Sequence, residues 1–291
     1  MEPPSHASTW APLHQPLFRA LWIAAVASNI GTWMQNVGAA WLMTSLAPSP
    51  AMVALVQAAT TLPVFLVGLP AGAVADVVDR RRLLLVTQAW MLCAAALLGA
   101  LTLLNAITPW SLLLLTFALG LGAAMNAPAW QAIIPELVHQ RELKPAVTLN
   151  GVGYNVARAV GPALGGAVVA AFGSGAIFVL NACSFLGVMI VLYRWRRPAE
   201  PNGLPAEDVF GAMRAGVRYV RHSPPVHAVL LRTGGFIFGG SALWALLPLV
   251  AREDLGLGAT GYGLIARAFH VGAAPPIISH LIYARPTAVE T

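Results

Sequence analysis

The chain has 291 residues, 58% of them hydrophobic and 10% charged, with a formal net charge of +6, against about 25% charged residues in an ordinary soluble domain. One lysine and sixteen arginines face eleven acids. These bases sit in short segments between long apolar runs, which excludes a nucleic-acid-binding reading and fits the loops of a membrane protein.

No charge occurs between Arg19 and Asp76, and none from Leu83 to Pro135. Each run far exceeds the ~20 residues that cross a bilayer as a helix, so each must fold back on itself. The first turns at Ala47-Pro48-Ser49-Pro50, predicting spans over 18–45 and 51–75. The second turns at Asn105-Ala106-Ile107-Thr108-Pro109, predicting spans over 83–105 and 110–134. A third run, Ala146 to Tyr193, holds one charge, Arg158, and turns at Phe172-Gly173-Ser174-Gly175. A seventh span follows over 226–251. The fold class is therefore all-α integral membrane: an N-terminal six-helix bundle (1–193), a central loop (194–225) and a further segment (226–291). Cys93 and Cys183 lie inside apolar segments, where small buried hydrophobes are expected; neither a metal site nor a cofactor is expected.

The connections separate by charge. Those after spans two, four and six carry Arg80, Arg81, Arg82; Arg141, Lys144; and Arg194, Arg196, Arg197, Arg214, Arg218, Arg221, while the turns at 46–50, 106–109 and 172–175 carry none. The positive-inside rule places the N-terminus and these basic loops in the cytoplasm. Within the central loop, Phe210, Met213, Val217 and Val220 form one helical stripe beside Arg214, Arg218 and Arg221. That pattern suits either a basic amphipathic helix on anionic lipid or a solvated connector.

Polar residues inside the spans mark a candidate cavity. Asn29, Thr32, Trp33 and Asn36 fall at i, i+3, i+4 and i+7 with Gln35 adjacent, one polar stripe on an apolar helix. Asn126 and Gln131 in the fourth span, and Asn150 and Asn155 in the fifth, can join it. Singly, each residue suits interhelical hydrogen bonding; the cluster suggests binding. Arg158 is the one charge deep in the first six spans, a costly position that normally faces a cavity or a partner. It suits an anionic substrate, or a structural role donating to carbonyls or to Asn and Gln side chains. Gly153, Ala157, Gly161 and Gly165 recur every four residues, a small-residue seam for close helix packing, and Pro162 removes one helical hydrogen bond.

Gly72-Ala73-Val74-Ala75-Asp76-Val77-Val78-Asp79-Arg80-Arg81-Arg82 resembles the signature between the second and third helices of the major facilitator superfamily. Val77 departs from the usual basic residue and Asp79 from the usual Gly. Gly161-Pro162-Ala163-Leu164-Gly165-Gly166 resembles the superfamily's antiporter motif. Gly31-Thr32-Trp33-Met34-Gln35, Pro128-Ala129-Trp130-Gln131-Ala132 with Pro135-Glu136-Leu137-Val138, and Ala242-Leu243-Trp244-Ala245-Leu246-Leu247-Pro248-Leu249 resemble its enterobactin-exporter-like, transmembrane secretion effector branch.

The resemblance implies one bundle of a two-bundle transporter that exports a small amphipathic molecule, siderophore or drug-like, by alternating access across a bacterial cytoplasmic membrane. Its implied partners are that substrate, protons as coupling ion, and lipid. It makes Gly72, Asp76, Asp79 and Arg80–Arg82 a gating turn that latches against the second half. It makes Gly161, Pro162, Gly165 and Gly166 the seam that prevents leak. Among the residues themselves, Gly72 suggests close helix approach, and Asp76 and Asp79 beside three arginines suggest a local ion-pair network. Every acid is expected in a loop or terminal segment, which leaves proton coupling without an intramembrane carboxylate. From Gly261-Tyr262-Gly263 an eighth helix should open, but Arg267, His270, Pro275-Pro276, His280 and Arg285 interrupt its continuation. The expectation is an incomplete second half, and the alternative function is a non-transporting membrane remnant or interaction protein.

Overall fold

A computed structural model describes residues 8–47, 49–195, 211, 218 and 220–270. Eight α-helices account for most of them: α1 (Pro16–Leu46), α2 (Pro50–Val77), α3 (Arg80–Leu103), α4 (Pro109–Leu137), α5 (Leu143–Phe172), α6 (Ser174–Arg194), α7 (Pro224–Leu249) and α8 (Ala259–His270). Five of them contain segments long and apolar enough to cross a bilayer: Pro50–Gly68 in α2, α3, α4, the run Gln140–Phe172 that ends α5, and α6. α1 has the length, with 31 residues, but its polar stripe dilutes its hydropathy.

Local chemistry sets the helix ends. Pro16, Pro50 and Pro109 occupy first helical positions, where a missing N–H costs nothing. Asp79 caps α3 by accepting from the Arg82 backbone N–H at 2.8 Å, and Thr108 and Ser111 form a reciprocal capping box at α4. Gly173 separates α5 from α6 at φ +77°, a conformation that glycine adopts without steric cost.

Six spans were expected between residues 18 and 193, and α1–α6 occupy those places. Several run further than the charge pattern suggests. Asp76 falls in the last turn of α2 and Glu136 in the last turn of α4. This corrects the expectation that every acid lies outside the helices: α2 and α4 continue into the polar boundary, where Glu136 pairs with Arg80. The predicted amphipathic stripe through Phe210, Met213 and Val217 lies outside the described residues, as does the chain beyond residue 270.

The bundle is knit by α1 against α5 and α6, α2 against α4, and α3 against α4 and α6. Two apolar clusters hold its two ends. One joins Met43, Val53, Leu98, Leu112 and Phe178 near the short uncharged turns, and the other joins Phe18, Leu84, Ile133, Leu149 and Leu192 near the charged connections. Between lipid-embedded helices such packing acts through close van der Waals contact, since lipid tails are as apolar as the side chains. The small-residue seam of α5 meets that need: a Cβ at Gly161 would lie 2.5 Å from Trp33 Cβ, and one at Gly165 3.0 Å from Met34 Cα.

Candidate functional site

A cavity of about 930 Å³ opens inside the bundle. The α1 stripe lines it with Asn29, Thr32, Trp33 and Asn36; α4 adds Asn126, Trp130 and Gln131, and α5 adds Asn150, Tyr154, Asn155 and Arg158. Every sequence-predicted cavity residue except Gln35 is on this wall. Gln35 is buried and accepts a 2.6 Å hydrogen bond from Asn181 of α6. One position of offset along α1 turns it about 100° away from Asn36, so it cements α1 to α6 instead of facing the cavity.

The wall contains residues that their sequence context did not single out. Gln57, Thr60 and Thr61 project from α2 and Gln88 from α3, while Leu247, Pro248 and Tyr262 of α7 and α8 cover one end. Gln57, Thr60 and Thr61 fall at i, i+3 and i+4, a polar stripe on α2, whereas Gln88 sits in an apolar run of α3 and only tertiary packing brings it to the wall.

Hydrogen bonds order this lining. Trp130 Nε1 donates to Asn150 Oδ1 at 3.0 Å, and Thr87 Oγ1 donates to Asn126 Oδ1 at 3.0 Å. Trp33 and Tyr154 meet edge to face with centroids 6.2 Å apart. Arg158 stands halfway along α5, half-buried on the wall. Among the described residues no carboxylate lines the cavity, and none pairs with Arg158. Its face is shared with Pro162, whereas Gly161 and Gly165 face α1.

Gly166 faces elsewhere again. A Cβ there would lie 2.5 Å from Ala259 O, and one at Gly263 would lie 2.5 Å from Pro162 O. α5 and α8 thus touch backbone to backbone. Near this contact, Tyr262 stacks on Trp41 at 5.9 Å and 19°, and Arg252 lies 5.6 Å from the Trp41 ring. Arg252 also donates to Thr44 Oγ1 at 2.8 Å and Ser45 Oγ at 2.7 Å. Val37, Leu247, Ala251, Tyr262 and Ile265 form an apolar cluster beside it, at the end of the bundle away from the charged turn.

At that turn the arginines reach across to other helices. Arg80 pairs with Glu136 at 2.9 Å and donates to Ala132 O at 3.1 Å. Arg81 donates to the α6 carbonyls of Leu192 at 2.8 Å and Tyr193 at 2.7 Å, satisfying acceptors that a helix C-terminus leaves free. The expected local network is thus replaced, for Arg80 and Arg81, by a brace joining α3, α4 and α6. Close approach at Gly72 is also corrected: among the described residues nothing lies within 4 Å of a Cβ there, because this face of α2 turns away from the described helices.

A family model described as transmembrane secretion effector matches residues 7–285. The chain belongs to this family of major facilitator superfamily transporters. It is a multi-pass membrane protein of a transporter family, not an enzyme. It is 27% identical over 264 residues to the enterobactin exporter EntS of Salmonella typhi, covering 89% of this chain and 62% of that protein. It is 28% identical over 165 residues to the staphyloferrin A transporter of Staphylococcus aureus, covering 56% and 42%. A bacterial homologue of the human lysosomal transporter Spinster, solved in an inward-facing, unoccupied conformation, has the same fold at TM-score 0.66 and 17% identity, covering 94% of this chain and 64% of that one. The chain therefore spans less than two thirds of the length of these relatives.

Proposed function

We propose that this chain serves the export of a small amphipathic anion of siderophore type across a bacterial cytoplasmic membrane, by alternating access, with its N-terminus in the cytoplasm. The observation that carries this reading is Arg158, a cation on the cavity wall with no acidic partner among the described residues. A guanidinium at membrane depth is costly unless something compensates it, and an anionic substrate does so while forming charge-assisted, two-pronged hydrogen bonds. Trp33, Trp130 and Tyr154, which line the same cavity, give aromatic surface for the apolar part. The names of the two siderophore-transporting relatives support the substrate class.

The covering of one end by α7 and α8, together with basic loops at the other, supports a cavity facing the cytoplasm. Antiport against protons rests on the Gly161–Gly166 motif, and the acids for it lie outside the described cavity wall.

The test is ligand binding to the purified 291-residue chain in lipid nanodiscs, read by quenching of tryptophan fluorescence with an aromatic carboxylate such as 3,4-dihydroxycinnamate. Arg158→Met should weaken binding about tenfold to a hundredfold, the range for hydrogen bonds to a charged group, and Arg158→Lys should restore part of it. Equal affinity of wild type and Arg158→Met refutes the anion site.

A further inference from the structure

The α2–α3 side of the cavity differs from the Arg158 side in the hydrogen-bonding capacity it leaves open. Thr60 and Thr61 line the cavity, yet their hydroxyls donate to carbonyls of their own helix, Val56 O and Gln57 O, both at 2.9 Å. A hydroxyl has one proton and two lone pairs, so with that proton taken up each oxygen is left as an acceptor. Gln88 also lines the cavity and is 4% exposed. Its Nε2 donates to Asn126 Oδ1 at 3.4 Å, and its Oε1 is buried with no hydrogen-bond partner. Asn126 Oδ1 also lies 3.0 Å from Thr87 Oγ1, whose single proton is shared between it and Leu84 O at 3.1 Å, and in this arrangement the oxygen is the free end of the Gln88 amide.

A buried acceptor without a partner is rare and calls for an explanation. Gln88 is long and mounted on a cavity wall, and its amide would reach the cavity by rotation about the side chain. We infer that Gln88, with the hydroxyl oxygens of Thr60 and Thr61, forms a neutral acceptor subsite that receives an uncharged O–H or N–H donor of the substrate. This rests on the reading of Arg158 as the anion site. The cavity then selects a molecule with two chemistries: an anionic group for Arg158, and hydroxyl or amide N–H groups apart from that charge. Anions of equal size and shape that carry only acceptors leave Gln88 unpaired and are discriminated against, since a site that hydrogen-bonds a donor loses that bond with the analogue lacking it.

Two probes of similar shape separate these terms in the nanodisc assay: 3,4-dihydroxycinnamate, which offers O–H donors, and 3,4-dimethoxycinnamate, which offers none. The quantity read is the ratio of their dissociation constants. Wild type should favour the dihydroxy compound about tenfold. Gln88→Met should bring the ratio near one, and Gln88→Glu, which keeps an acceptor of the same reach, should preserve the ratio while lowering both affinities. Arg158→Met should lower both affinities and keep the ratio. A wild-type ratio near one, or a tenfold ratio surviving in Gln88→Met, overturns the assignment of Gln88 while leaving Arg158 in place. A ratio lost in Gln88→Glu overturns it as well. No effect of Arg158→Met on either probe overturns the anion site itself, and absence of binding to wild type removes both readings.

Discussion

Asn181 and Gln35 are joined by a 2.6 Å hydrogen bond, and both are buried. Each alone is a polar group without water, so removing one leaves the other unsatisfied, at about 1–3 kcal/mol, whereas removing both together is nearly neutral. Asn181→Leu should therefore lower the thermal midpoint in detergent more than the Gln35→Leu/Asn181→Leu double variant does. A double variant at least as unstable as Asn181→Leu would show that the pair is not acting as a unit. The α1 stripe was legible because polar side chains three and four residues apart must share a face, and this located Asn29, Thr32, Trp33 and Asn36. Gln35 was misplaced because sequence adjacency does not distinguish a helix's cavity face from the face beside it. Asn181 itself, a lone amide in the apolar run of α6, gave no signal of its partner.

Between elements the decisive contacts lack side chains. Gly166 and Gly263 let α5 and α8 meet at backbone distance, and any Cβ there must push the helices apart. Gly263→Val should destabilise the protein by about 1–3 kcal/mol, the usual cost of overpacking, measured as a lower midpoint in a fluorescence-detected thermal melt. An unchanged midpoint would mean that α8 is not seated on α5. The four-residue rhythm of α5 announced close packing, and the partner of Gly161 and Gly165 proved to be α1. The rhythm could not show that Gly166, one residue on, serves a different helix. The brace at the charged turn was hidden for a similar reason: Arg80 and Arg81 find Glu136 and the Leu192 and Tyr193 carbonyls only after more than fifty residues of intervening chain have folded back.

For the molecule as a whole, alternation of charged and uncharged connections gave the number and order of the spans because long apolar runs have few alternatives in a bilayer. The same alternation predicts orientation. Ser49→Cys, between α1 and α2, should react with a membrane-impermeant maleimide in intact cells. Gln140→Cys, between α4 and α5, should react only after the membrane is permeabilised. The reverse pattern would invert the topology. Cavity volume and the place of Gln88 on its wall were not readable in this way, since they come from how six helices tilt and cross, whereas the spacing of Gln57, Thr60 and Thr61 at i, i+3 and i+4 does put them on one face of α2.

The two ends of the bundle are fastened by different physics. Arg80 is held by a carboxylate, so its brace weakens as ionic strength rises and the Debye length falls to about 3 Å at 1 M salt. Arg252 is held by two hydroxyls and an indole face, with no counter-ion among the described residues for dissolved salt to displace. Concentrated electrolyte should thus slacken the Arg80–Glu136 link between α3 and α4 and spare the far end. The clasp at the end away from the charged turn would keep its grip in fresh water and in brine alike.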